Sequence, residues 1–212
     1  LIRDKQVVAV RRTLGDKART AIGGALGVAP DNFHNNFAIP HPAEGWNNEF
    51  VSFRIKPGHI EQKTIYKPQK GTIIADPEPH FDGDRMMYSS IGTNNRWHLF
   101  ELNLKDGTSR QLTYDQDSNW GPVVMENGMI LYQRWEYADL PHANSRITFT
   151  MNPDGTNQRA YYGSNSYFPT SYFDARPIPG RPSAMVGIVT GHHSTPRSGR
   201  LVIIDVNKGR RE

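Results

Sequence analysis

Cysteine is absent from all 212 residues. Disulfides, thiolate–zinc sites and the C-x-x-C-H attachment of c-type haem are therefore excluded within them. Long apolar runs are missing as well, so no stretch is long and apolar enough to predict a membrane-spanning helix. No signal peptide is visible, but the sequence opens at Leu1 without a methionine and closes just past a turn, which reads as a piece of something longer. An excess of charge of one sign is nearly absent: 25 Lys and Arg against 21 Asp and Glu leave +4. The basic residues are scattered, without the clustered stripe that nucleic-acid recognition needs. G-x-S-x-G, H-E-x-x-H and P-loop patterns are also lacking, so serine hydrolase, zinc peptidase and nucleotide-cleaving readings have no support.

Turns are abundant instead, with 19 Gly and 15 Pro. The stretch Asp76–Thr113 shows what they punctuate. Phe81-Asp82-Gly83-Asp84 is a tight turn, because Asp and Gly tolerate positive φ. It leads into a strand Arg85–Ser90, a second strand Trp97–Leu104, the turn Lys105-Asp106-Gly107-Thr108 and a third strand Ser109–Thr113. An antiparallel sheet of this kind is apolar on both faces and needs neighbours of its own kind.

Such neighbours follow. Gly121–Tyr162 repeats the order: a turn at Glu126-Asn127-Gly128, strands Met129–Trp135 and Arg146–Met151, the turn Pro153-Asp154-Gly155-Thr156, and Arg159–Tyr162. Phe173–Arg211 repeats it more loosely, with a turn at Pro179-Gly180, strands Met185–Thr190 and Arg200–Val206, and a turn at Lys208-Gly209. The first turns lie 45 and 52 residues apart (Gly83, Gly128, Gly180), the second turns 48 and 54 (Gly107, Gly155, Gly209). Periods of about 40–50 with about four short strands each mark propeller blades. The alternative is a β-sandwich with coincidental turns. The sequence predicts an all-β chain, a partial β-propeller of three to four blades. Its expected units are 1–75 (an incomplete first blade with a long loop), 76–113, 114–162 and 163–212.

The N-terminal part is less regular. Gln6–Arg12 reads as a strand, while Phe50–Ile55 and Lys63–Lys67 read as a hairpin of the first blade. Thr13–Asn48, rich in Gly, Pro and Asn, reads as a long irregular loop, in which Asp16–Leu26 is a weak helix candidate at best.

Several residue groups have chemical potential. His192-His193, after an apolar strand and within a Gly/Ser/Pro-rich loop, are candidate metal ligands or haem-edge residues, since neutral imidazole binds zinc, copper and iron. The alternative is that they hydrogen-bond loop carbonyls. Arg197 beside them would attract an anion. Arg134-Trp135-Glu136-Tyr137 places charges and aromatics at a strand end, either as a stacked, paired packing unit or as a grip on a carboxylate or sugar. Asp115-Gln116-Asp117-Ser118-Asn119 spaces oxygen ligands as calcium loops do, with Glu126 at the twelfth position. The sixth position is Trp120, where such a loop needs glycine, so a connecting turn is the preferred reading. The aromatic run Tyr161, Tyr162, Tyr167, Phe168, Tyr172 and Phe173 reads as inter-blade core, with a sugar-stacking platform as the alternative.

Some of these segments form an ordered string: Arg134-Trp135-Glu136-Tyr137, Pro141-His142-Ala143-Asn144-Ser145-Arg146, Met151–Thr156, Tyr161–Pro169, Ala175–Gly180 and Gly191-His192-His193. Trp46–Glu49 and His80–Met86 precede it. The string resembles the bacterial propeller proteins related to the hydrazine synthase alpha subunit, with PD40-type, TolB-like repeats, over nearly the whole chain. Relatives of that kind carry one further repeat where Thr113 here runs into Tyr114, so either a blade has been lost or a stretch is missing. The resemblance implies export to the periplasm or cell surface. It also allows haem or a metal held in another part of the full-length protein, since no haem motif lies in this segment.

Two function classes follow. One is an exported, non-catalytic propeller that holds a protein or glycan partner. The other is a segment of a redox or metal-assisted enzyme whose cofactor sits largely in another domain. The expected partners are other blades or domains of the same protein, and neither nucleic acid nor a membrane span is expected.

Overall fold

The computed structural model describes residues 6–14, 46–136, 146–163, 171–190 and 199–208. Among these residues the chain is almost entirely strand, grouped in four antiparallel sheets, with two single 3-10 turns at Thr93–Asn95 and Val206–Lys208. The first sheet is β1 (Gln6–Leu14), β2 (Trp46–Lys56) and β3 (His59–Tyr66). The second is β4 (Ile74–Pro79), β5 (Arg85–Ile91), β6 (Trp97–Asn103) and β7 (Ser109–Gln111). The third is β8 (Ser118–Val124), β9 (Ile130–Trp135), β10 (Arg146–Met151) and β11 (Arg159–Tyr162). The fourth is β12 (Tyr172–Ile178), β13 (Arg181–Val189) and β14 (Arg200–Asp205).

The sheets pack face against face. Within β10, Ile147, Phe149 and Met151 pack on Met87, Leu99 and Leu112 of the second sheet and its exit, together with Val124, Ile130 and Tyr132. Sheets two and three therefore touch directly across the Thr113–Tyr114 connection. Phe50, Val8 and Val10 join the first sheet to Ile74, Met86, Tyr88 and Leu102 of the second. Val123, Met125 and Leu131 join the third to Tyr172, Ala175, Met185 and Ile204 of the fourth. A further cluster of Ile73, Ala75, Trp97, Trp120, Trp135 and Phe173 ties sheets two, three and four together.

The second turns are built alike. Asp106 Oδ1 accepts from the Thr108 N–H at 2.8 Å, and Asp154 Oδ1 accepts from the Thr156 N–H at 2.9 Å. Gly155 has φ +91°, and a Cβ there would lie 2.5 Å from the Leu112 carbonyl oxygen, so this turn is pressed against the neighbouring sheet.

The structure departs from the sequence reading at the first strand of each repeat. β4 and β12 were not expected as strands, nor was most of β8. Each contains a register break with a left-handed residue: Asp76 (φ 51°), Gly121 (φ 63°) and Asp174 (φ 52°). Pro77, Pro79, Pro122 and Pro177 stand in these strands. Among the described residues each of these strands pairs on one side only, where a missing N–H is tolerated. β1 and β2 also extend into the stretch read as loop, to Leu14 and from Trp46. The helix candidate at 16–26 lies outside the described residues.

Candidate functional site

Arg134 leaves β9 toward the loop that precedes β8. Its Nη2 donates to Asp115 Oδ2 at 2.7 Å, its Nε donates to Asn119 Oδ1 at 2.9 Å, and Nη2 also reaches Gln158 Oε1. Its Cζ stands 4.3 Å from the Phe149 ring centroid. The guanidinium thus fills the acidic loop whose spacing resembled a calcium site, and its partner is Asp115, not Glu136. Trp135 is fully buried, with the Arg146 guanidinium 3.6 Å from its ring centroid. Arg134 and Trp135 therefore both sit in packed surroundings. Glu136 is half-buried at the end of the strand. Tyr137, His192, His193 and Arg197 lie outside the described residues, as do Tyr167 and Phe168 of the aromatic run. Tyr172 and Phe173 are core residues, and Tyr161 and Tyr162 pack against the third–fourth sheet cluster.

A different place gathers polar groups that the sequence reading did not single out. A small cavity, with room for about one water-sized group, lies where β4, β8, β9 and β12 meet. Asp76, Gly121, Gln133, Asp174 and Arg176 line it, along with Val123, Leu131, Tyr132 and Ala175. All three left-handed residues of the inner strands are at this cavity. Asp and Gly adopt that conformation more readily than other residues, which accounts for the residue types found. At the mouth, Arg176 Nη1 donates to Glu78 Oε2 at 2.8 Å, linking the fourth sheet to the second.

Gln133 is the unusual member. It lies on the same face of β9 as Leu131 and Trp135, is 3% exposed, and its Nε2 has no hydrogen-bond partner among the described residues. Asp76 Oδ2 is likewise buried without a partner there. A buried polar group left unsatisfied costs about 1–3 kcal/mol. The Trp120 indole and the hydroxyls of Thr150 and Ser171 also lack partners among the described residues, but none of them lines the cavity. Behind Asp76, Arg12 donates to the Ile74 carbonyl at 2.8 Å and to Asn48 Oδ1 at 2.9 Å. Burial pulls this guanidinium below its ordinary pKa, and the Asp76 charge opposes that shift.

A second polar cluster lies at the outer turn of the second sheet. His80 Nδ1 and Arg85 Nε stand 2.9 and 2.7 Å from Asp82 Oδ2. Burial raises the Asp82 carboxyl, but the Asp84 N–H, Arg85 and His80 outweigh it and hold the group at about 2. Among the described residues no three His, Asp or Glu side chains gather as metal ligands do.

These strands and sheets define a β-propeller fold. No family model matches the chain and no curated protein matches it. Among solved structures it is similar to TolB from Acinetobacter baumannii, with TM-score 0.56, 11% identity, 77% of this chain and 37% of that one covered. It is similar to a putative TolB from Agrobacterium tumefaciens, with TM-score 0.56, 13% identity and coverages of 78% and 58%. An oligogalacturonate lyase from Vibrio parahaemolyticus follows at TM-score 0.50, 15% identity and coverages of 72% and 45%. The chain thus spans between 37% and 58% of the length of these three structures. Their likeness establishes a TolB-like propeller fold. No helix among the described residues is long and apolar enough to cross a membrane.

Proposed function

We propose that this chain is part of a propeller binding module that holds its partner at the cavity between the inner strands. We read its four sheets as consecutive blades of the units 1–75, 76–113, 114–162 and 163–212. The observation that carries the binding role is the convergence of Asp76, Gly121 and Asp174, three left-handed positions on three successive inner strands, on one polar cavity. Non-glycine residues held in this conformation, here Asp76 and Asp174, concentrate where a fold has a task other than stability. The motif string from Trp46 to His193 supports membership of the hydrazine synthase alpha-like branch, and with it an exported location; that propellers readily serve as scaffolds supports a protein or glycan partner.

Asp174→Asn, which tolerates the left-handed backbone, with Arg176→Ala changes the mouth's side chains while leaving the core in place. Affinity capture from extract of the native host is expected to lose its enriched partner about tenfold with this variant. Equal enrichment by wild type and variant would overturn the reading. A haem absorbance band or stoichiometric metal in the natively purified full-length protein would favour the enzyme class instead.

A further inference from the structure

We propose that the cavity is a carbohydrate subsite that seats one sugar hydroxyl between Asp76 and Gln133. The assignment rests on the binding-module reading and names the chemistry of its ligand.

The two buried groups set the chemistry of the ligand. Asp76 Oδ2 is an acceptor and Gln133 Nε2 a donor, and neither has a partner among the described residues. An ammonium group only donates and would leave Gln133 unmet. A carboxylate or phosphate only accepts, and it would face the charges of Asp76 and Asp174. A hydroxyl does both: it donates its proton to Asp76 and accepts from the Gln133 amide. Water has the same capacity, and a sugar hydroxyl can take the place of a water without losing a hydrogen bond.

The surroundings extend the match. Asp174 and Arg176 are exposed at the rim, and Glu78 is held beside Arg176. Carboxylates and a guanidinium side by side offer paired acceptors and donors to adjacent hydroxyls. A peptide anchored by an apolar side chain finds no socket here. Val123, Leu131 and Ala175 are buried in the wall, and the exposed large apolar residues Ile55, Ile60, Phe81, Leu201 and Ile203 lie elsewhere.

The test uses maltohexaose, cellohexaose and xylohexaose as probes, followed by saturation-transfer NMR and calorimetric titration. Wild type is compared with Gln133→Met, close in volume and apolar, and with Asp76→Asn, which tolerates the left-handed backbone. At least one oligosaccharide is expected to receive saturation from wild type, with Kd raised about tenfold or more in each variant. The Tm of Gln133→Met is expected at or above that of wild type, because an unmet donor has been removed. A fall of several degrees would show that the amide serves the fold, and would overturn the proposal. Transfer to none of the three sugars would overturn it as well. Binding that is equal in wild type and variants would place the sugar elsewhere. A Ser/Thr-containing peptide showing the same dependence on Asp76 and Gln133 would make the ligand a peptide. Either of these last two results overturns the subsite while leaving the binding module standing.

Discussion

His98 in the second sheet and Gln133 in the third are both polar, both buried within a four-stranded sheet, and opposite in how they are satisfied. His98 is fully enclosed. Thr113 Oγ1 accepts from the Leu99 N–H at 3.1 Å and lies 3.0 Å from His98 Nδ1, while Nε2 lies 3.1 Å from the Thr93 carbonyl. The carbonyl can only accept, so Nε2 carries the proton and Thr113 donates its own to Nδ1. That closes the histidine's hydrogen bonding within the described residues. Gln133, 3% exposed, lines the cavity, and its amide nitrogen has no partner among those residues. Burial alone therefore does not tell whether a polar residue's hydrogen bonding is closed within the fold; its partners do.

Arg134 gives the largest expected effect. It is the sequence neighbour of Gln133 on the opposite face of β9, and it is satisfied by Asp115, Asn119 and Gln158. Its side chain is 11% exposed and that of Asp115 26%. Arg134→Leu leaves a partly buried carboxylate without its cation, at a cost of about 3 kcal/mol. Urea unfolding should show that loss in full, against no loss for the adjacent Gln133→Met. Equal losses at the two positions would erase the distinction between a satisfied face and an open one.

His98 sharpens the contrast through pH. Burial lowers its pKa, the hydrogen bond to the Thr93 carbonyl and the charge of Asp115 oppose that, and Arg134 and Arg96 reinforce it. Its folded pKa therefore lies below the unfolded value of about 6.5. Above pH 6.5 both states are neutral and the group contributes nothing to the pH dependence. As pH falls through 6.5 the unfolded chain takes up a proton that the folded one refuses, so stability declines until the folded pKa is reached. The slope is at most about 1.4 kcal/mol per pH unit. Urea midpoints between pH 7.5 and 5.5 should fall for wild type and flatten for His98→Gln. Identical slopes would mean that the imidazole is not held neutral.

The sequence disclosed the strands whose side chains alternate and whose ends carry Asp-Gly turns. Arg146–Met151 and Arg159–Tyr162 were legible to the residue, and Arg85–Ser90 to within one. The inner strands were hidden because Pro77, Pro79, Pro122 and Pro177 read as breakers, and the left-handed Asp76, Gly121 and Asp174 interrupt the two-residue period. Those features are tolerated because these strands leave one edge unpaired. The site was hidden for a related reason. Arg134-Trp135 stood out as charged and aromatic, yet a packed sheet absorbs both. Gln133 sits in the series Leu131, Gln133, Trp135, a polar residue at a core position, but only the folded structure shows that none of the described residues meets its amide nitrogen. Asp76 reads locally as part of a Pro-rich turn.

Arg176 and Glu78 give the smallest expected effect and test whether the cavity's rim, unlike its floor, is free of structural duty. They join the second and fourth sheets across the mouth at 2.8 Å, with side chains 53% and 21% exposed. Coulomb attraction between such groups is screened by water and salt, and ordering a long arginine side chain offsets much of what remains. Glu78→Gln should therefore cost less than about 1 kcal/mol, and most of that should vanish at 1 M salt. The rim can then change its charge with little effect on the fold, which a ligand-selecting surface requires and a structural clamp does not permit. Urea unfolding at low and high salt measures it. A salt-independent loss of about 2 kcal/mol or more would make the pair a clamp between the two sheets and move the rim to the structural side of the comparison.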